Sequence, residues 1–324
     1  MAERQFQIGF TERSGGLCLS EPDRCVCESQ PGPDKQDPPR KALGRASRGF
    51  MGLQVLALFL ILSLPALAAP QRIVTAGSAV TEIVRGLGLE DRLVAVDSSS
   101  RTLHGLEGKP DIGYVRVLGA EGVLSQKPDL VLVSSEAGPP PVLEQIRNAG
   151  VELVIVTNGH GLDLVDEKIL SIAKATGRES EASTLLADHA ANLQKLRAAV
   201  ESLPRHPKVI FLHARGGNNL MAAGTDTAAH AMIEASGGTN ACADFQGYKP
   251  LSAESFAAMA PDFVLLSESV LGSDEDLLKT VPGLAQTPAA KNGGILRVED
   301  AAFLGFGPRS AAAARLVAMR LGQP

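Results

Sequence analysis

Tyr114 and Arg116 stand two residues apart in Gly113-Tyr114-Val115-Arg116, and Tyr248-Lys249 forms a second pairing of a phenol with a cation. A phenol that loses its proton is a hard anionic donor, and a neighbouring cation favours that form. A guanidinium can also take a carboxylate through two parallel hydrogen bonds. These two tyrosines are the only ones in the chain, tryptophan is absent, and aromatic residues make up 4%. A site of stacked aromatic rings does not fit that composition, so a ligand-facing tyrosine has to be Tyr114 or Tyr248. From the residues alone, Tyr114 is either such a group or a half-exposed loop side chain packed on its own domain. Tyr248-Lys249 is either a binding wall or a packed turn before Pro250.

Arg101 and Arg215 lie on loops expected near the same place and would supply further cations. Of the six histidines, His104, His160 and His213 follow strands or lead towards Tyr114, and they are the ones able to face a cleft. His189, His206 and His230 read as structural or solvated. No His-x-x-x-His or Glu-x-x-His pattern sets two ligands on one helical face, so a zinc or manganese site has little support. Catalytic signatures are also missing: there is no Gly-x-Ser-x-Gly elbow, no Gly-x-x-x-x-Gly-Lys loop, and no Gly-x-Gly-x-x-Gly after the first strand. Gly216-Gly217 follows a strand without the rest of a dinucleotide fingerprint.

The elements that must hold these residues alternate. Arg72–Thr75, Arg92–Asp97, Leu130–Val133 and Val151–Val156 read as strands, with helices at Ala79–Leu87 and Val142–Ala149. Leu130-Val-Leu-Val133 is apolar throughout, as a strand covered on both faces of a parallel sheet must be. From Glu181 to Leu203 apolar residues recur at helical spacing with no Gly or Pro, which predicts one helix of about 20 residues, roughly 30 Å long. Pro204-Arg-His-Pro207 ends it. The strand-helix pattern then restarts at Val209–Leu212, Phe263–Leu266 and Ile295–Val298, and a helix over Arg309–Leu321 closes the chain. The halves repeat: Leu118-Gly-Ala-Glu121 with Pro128-Asp-Leu-Val-Leu-Val-Ser134 matches Leu251-Ser-Ala-Glu254 with Pro261-Asp-Phe-Val-Leu-Leu-Ser267, each pair offset by 133 residues. The expected fold class is α/β: two similar Rossmann-like lobes with parallel-rich sheets, residues 69–178 and 205–324, joined by a bridging helix over 179–204. Ligands of open α/β sheets bind beyond the carboxyl ends of the strands, here a cleft between lobes.

The N-terminus is read separately. Arg40, Lys41, Arg45 and Arg48 precede an apolar run, Val55–Leu64, followed by Ala66-Leu-Ala68. That is the layout of a secretory signal over residues 50–68, and the run is short of the roughly 20 residues a bilayer span needs. Residues 1–49, with Cys18, Cys25 and Cys27, read as a non-native or disordered extension. Past the signal the chain keeps only Cys242, so no internal disulfide is expected there. The 324 residues carry a net charge of −5, which argues against a nucleic-acid partner.

Asp111-Ile-Gly-Tyr-Val-Arg-Val-Leu-Gly-Ala-Glu-Gly-Val-Leu-Ser-Gln-Lys-Pro-Asp129, Ala222-Ala-Gly-Thr-Asp-Thr-Ala-Ala229, Gly237-Gly-Thr-Asn240 and Gly247-Tyr-Lys-Pro-Leu-Ser252 resemble the haem-binding branch of a known family. This family comprises the helix-bridged substrate-binding proteins of ATP-driven importers, which also take cobalamin and ferric siderophores. The resemblance covers residues 71–321 and implies a periplasmic, non-enzymatic protein that binds ferric haem b as its transported ligand. It implies that Tyr114 ligates the haem iron and that Arg116 pairs with the phenolate or a propionate. Tyr248, Lys249 and Arg101 become further haem contacts, and His213 a second iron ligand or second-haem contact. Glu121 and Glu254, one per lobe, would dock on arginines of an ABC permease dimer with its ATPase, and an outer-membrane haem receptor system would act upstream. The rivals are the same fold carrying a siderophore or cobalamin, a metal-dependent enzyme on a similar two-lobe plan, and a surface adhesin.

Overall fold

The computed structural model describes residues 69–157, 159–214 and 220–323. The signal segment, the extension before it and Arg215 lie outside these residues. The first lobe runs β1 (Ile73–Ala76), α1 (Ser78–Gly86), β2 (Leu93–Val96), α2 (Ala120–Leu124), β3 (Leu130–Ser134), α3 (Pro140–Asn148), β4 (Glu152–Val156) and α4 (Val165–Thr176). Then comes the long α5 (Glu179–Glu201). The second lobe begins β5 (Lys208–Ala214), β6 (Leu220–Ala223), α6 (Ala228–Ala235), β7 (Thr239–Asn240), β8 (Tyr248–Lys249) and α7 (Ala253–Met259). It ends with β9 (Phe263–Ser267), α8 (Asp274–Thr280), α9 (Pro288–Lys291), β10 (Ile295–Val298), α10 (Asp300–Leu304) and α11 (Ser310–Leu321).

The first sheet is parallel throughout, in the order β2-β1-β3-β4. The second has six strands among the described residues: β10-β9-β5 repeat the parallel plan, β7 pairs parallel with the start of β5, β6 runs antiparallel to the end of β5, and β8 runs antiparallel to β6. The sequence repeat has a physical cause at Pro-Asp. Asp129 accepts the backbone N–H groups of Gln71 and Arg72 just before β1, at 2.8 and 3.0 Å. Asp262 accepts that of Lys208 at the start of β5, at 2.8 Å, and pairs with the Arg205 fork. The register repeats too, Leu130 lying beside Ile73 and Phe263 beside Val209.

Alternation along the central strands divides each core in two. Leu130 and Leu132 face the layer of α1 and α4, while Val131 and Val133 face that of α3. Val209 and Phe211 likewise face one layer of the second lobe, and Ile210 and Leu212 the other. α5 belongs to both lobes. Its Ala182, Leu185 and Leu186 pack into the first core, and Leu196, Ala199 and Val200 into the second. α4 is not anticipated by the sequence reading above, although Val165, Ile169, Ile172 and Ala173 recur at helical spacing. Gly177, at φ 66°, ends α4 two residues before α5 begins, so two helices stand where one was expected to follow a loop.

The lobes also meet directly. Arg309, just before α11, reaches Glu82 on α1 and holds Glu299 through both arms of its guanidinium, at 2.8 and 2.7 Å. Ala301 of α10 packs into the first lobe's core. Among the described residues no helix is long and apolar enough to cross a membrane.

Phe211 is fully buried between the second sheet and Phe303, whose ring stacks on it with centroids 6.1 Å apart. Phe211→Ala should cost about 3–5 kcal/mol of stability, read as a lower urea midpoint by circular dichroism.

Candidate functional site: a cleft between the lobes

Gly113 sits at φ 91° and Gly247 at φ 71°, backbone that a side chain resists, so each lobe turns sharply just before its tyrosine. After Gly113 the chain makes a 3₁₀ turn, Val115–Val117, in which the Val117 N–H donates to the Tyr114 carbonyl at 2.8 Å. Hydrogen bonds from Gly138 to Val115 and from Leu118 to Gly138 tie this turn to the loop after β3. Tyr114 is thereby held at the carboxyl end of the first sheet with 49% of its surface exposed. In the second lobe Tyr248 lies on β8, paired with Ala223 of β6.

Both tyrosines line one cavity of about 780 Å³, within the usual range for small-molecule sites. Its other walls follow the carboxyl ends of the parallel strands: the start of α1 after β1, Glu136 after β3, His160 after β4, His213 at the end of β5 and Asp300 after β10. Such a position is where open α/β sheets bind ligands.

On the first lobe Arg116 donates to Glu136 at 2.7 Å, and His160 stands 3.9 Å from the other oxygen of that carboxylate. Burial works against the charge of Arg116, but Glu136 and Tyr114 outweigh it and hold the guanidinium above its ordinary value. On the second lobe Ser267 donates to Asp300 at 2.6 Å, and His213 lies against Ser267, Ser269 and the Tyr248 ring. Burial raises the Asp300 carboxyl, with the Ser267 hydrogen bond pulling the other way. Burial, with Asp300 and Tyr114 close by, pushes the Tyr248 phenol up to about 12. Tyr248 is therefore a hydrogen-bond donor at neutral pH, not an anion.

Lys168 of α4 forms part of the floor. It is 2% exposed, and its ammonium donates to the Phe306 carbonyl at 3.1 Å and lies 5.8 Å from the centre of the Phe306 ring. Desolvation lowers it to about 8.

The cleft brings together Tyr114, Arg116, Tyr248 and His213. Arg101 and Lys249 do not line it. Arg101 turns to Asp111 at 3.4 Å, and the Lys249 ammonium sits 5.2 Å from the centre of the Phe245 ring. His104 is fully exposed beside Glu107. Glu121 and Glu254 are exposed at the same position of α2 and α7, the second residue of each. Glu136, Lys168 and Asp300 were not singled out from sequence. Of these, Glu136 stands two residues after the repeated strand that ends at Ser134.

Residues 73–302 match the family described as periplasmic binding protein. The chain belongs to that family. This binding protein is 38% identical to the periplasmic heme-binding protein RhuT of Roseiflexus sp. RS-1, whose structure covers 78% of this chain and 99% of its own at a TM-score of 0.72. A periplasmic heme-binding protein from Pseudomonas aeruginosa is 32% identical, covering 78% and 93% at 0.70. The vitamin B12-binding protein of Pectobacterium carotovorum is 23% identical over 263 residues, 81% of this chain and 92% of that one.

Lys168 also sets a pH dependence. The folded chain gives up this proton near pH 8, whereas the unfolded chain keeps it until about 10.5. Between those values the unfolded state binds more protons, so stability rises with pH. The rise from this one group should be about 3 kcal/mol. Denaturant midpoints from pH 7.5 to 10.5 should show it as the difference between the native chain and Lys168→Met, in which it vanishes.

Proposed function

We propose that this protein captures ferric haem between its lobes in the periplasm and delivers it to an ATP-driven importer in the inner membrane. The observation that carries this reading is Tyr114, a half-exposed phenol beside Arg116 at a cavity of about 780 Å³. A phenolate is a hard donor suited to ferric iron, and tyrosine is an established type of haem ligand. Arg116 steadies the phenolate or takes a propionate, with Glu136 fixing its direction. Lys168 offers a second cation at the floor, and apolar side chains such as Val115, Met221 and Leu304 cover the porphyrin. Tyr248 donates a hydrogen bond from the facing wall, and His213 stands ready as a second iron ligand. Likeness to two proteins described as heme-binding, at 38% and 32% identity, supports the same ligand. Residues 50–68 would export the chain, and an outer-membrane haem receptor system would supply the ligand.

The resemblance of 23% to a vitamin B12-binding protein keeps cobalamin as the second reading. The two separate in one absorption titration. Hemin should give a shifted Soret band that cobalamin does not compete away, and Tyr114→Phe should weaken hemin binding on the order of 100-fold, about 2.7 kcal/mol. An unshifted Soret band, or a Tyr114→Phe spectrum identical to that of the native chain, would overturn the haem assignment.

Glu121 and Glu254 dock the loaded protein on the permease, one carboxylate per lobe suiting a partner with two-fold symmetry. Glu121→Gln with Glu254→Gln should leave hemin affinity unchanged and cut stimulation of the importer's ATPase in proteoliposomes at least about 10-fold, the loss expected when charge-steered association fails.

A further inference from the structure

We propose that Ser267 and Asp300 are positioning residues for His213, fixing its neutral ring in the tautomer that presents a bare Nε2 to the cleft. The proposal deepens the reading of the cleft as a haem site and rests on it for the ligand that Nε2 meets. His213 is the cross-strand partner of Met221, and both line the cavity.

Proton counting fixes the tautomer. An ionised carboxylate only accepts, and a serine hydroxyl has one proton and two lone pairs. Ser267 Oγ gives its proton to Asp300 Oδ2 at 2.6 Å. The contact of 2.7 Å between Ser267 Oγ and Ser269 Oγ must then be donated by Ser269. Ser269 also gives its backbone N–H to Ser267 Oγ at 3.1 Å, which fills both lone pairs of that oxygen. Ser269 Oγ accepts from the Ala214 N–H at 3.2 Å and keeps one lone pair. His213 Nδ1 lies 3.1 Å from it. Neither hydroxyl has a proton left for Nδ1, so Nδ1 is the donor. Both serines then have their hydroxyl proton donated, and Asp300 accepts through Oδ2 while its buried Oδ1 has no partner; the proton of the neutral imidazole is on Nδ1.

Metal-binding histidines commonly donate their second ring N–H into a chain ending on a carboxylate, which fixes the ring and raises the basicity of the ligating nitrogen. The path from Nδ1 through Ser269 and Ser267 to Asp300 is such a chain. It gives the second lobe a neutral nitrogen donor in the same cleft as Tyr114.

A long-range ¹H–¹⁵N correlation spectrum of the ligand-free protein tests this directly, with His213 assigned through His213→Gln and the pH set where the ring is neutral. The expected spectrum has a protonated, pyrrole-type Nδ1 and a pyridine-type Nε2. Ser269→Ala should leave that tautomer in place, because Ser267 Oγ gains a free lone pair 3.2 Å from Nδ1. Ser267→Ala should shift the population towards Nε2–H, because the Ser269 proton is released to face Nδ1. In a Tyr114→Phe background, Ser267→Ala should lower the remaining hemin affinity about 10-fold. A native ring protonated on Nε2 would overturn the proposal without any variant having to fold. So would a Ser267→Ala protein that folds and keeps the native tautomer. Failure of hemin to bind the native chain would instead remove the haem reading and leave the tautomer result standing.

Discussion

The two lobes are held against each other by charged side chains that cross between them. Arg309 brings its guanidinium from the second lobe to Glu82 on the first while gripping Glu299 on its own. Burial pushes the Glu82 carboxyl upward and Arg309 pulls it back, so the charge of Glu82 depends on that guanidinium. Lys168 repeats the theme from the opposite direction, reaching out of α4 to the Phe306 carbonyl of the second lobe. α5 then enters both cores as one helix of 23 residues. These three links hold Tyr114 and Tyr248 on the walls of one cavity.

Within that frame the two walls have similar ancestry in the sequence and different chemistry. Each carries a Gly-Tyr turn with the glycine at positive φ. In the first lobe the tyrosine stands on a 3₁₀ turn beside Arg116. In the second it lies on β8 near Asp300, and burial keeps it a phenol. The antiparallel pair β6 and β8 makes that difference, because it carries Met221 and Tyr248 to the cleft beside His213.

The repeat of Pro-Asp before an apolar strand was legible because local physics demands it: the carboxylate satisfies backbone N–H groups at the start of the neighbouring strand in both lobes. Tyr114 and Arg116 were legible because their motif is short and contiguous. Glu136, Lys168 and Asp300 were not, since each gains its role from a residue far away in the chain. Lys168, between Glu167 and Ile169, reads as a solvated helix lysine until Phe306, 138 positions on, covers it. Arg101 and Lys249 illustrate the converse. Both are next to residues that line the cleft, Thr102 and Tyr248, yet Asp111 and the Phe245 ring lie within reach and hold them elsewhere.

In the function proposed for this protein, iron is held between the lobes by Tyr114. Crystals of the hemin-loaded protein measured at the iron absorption edge test it most directly. The account predicts an anomalous peak inside the cleft within bonding distance of the Tyr114 hydroxyl oxygen. Iron located outside the cleft, or inside it and bound only by the second lobe, would contradict it.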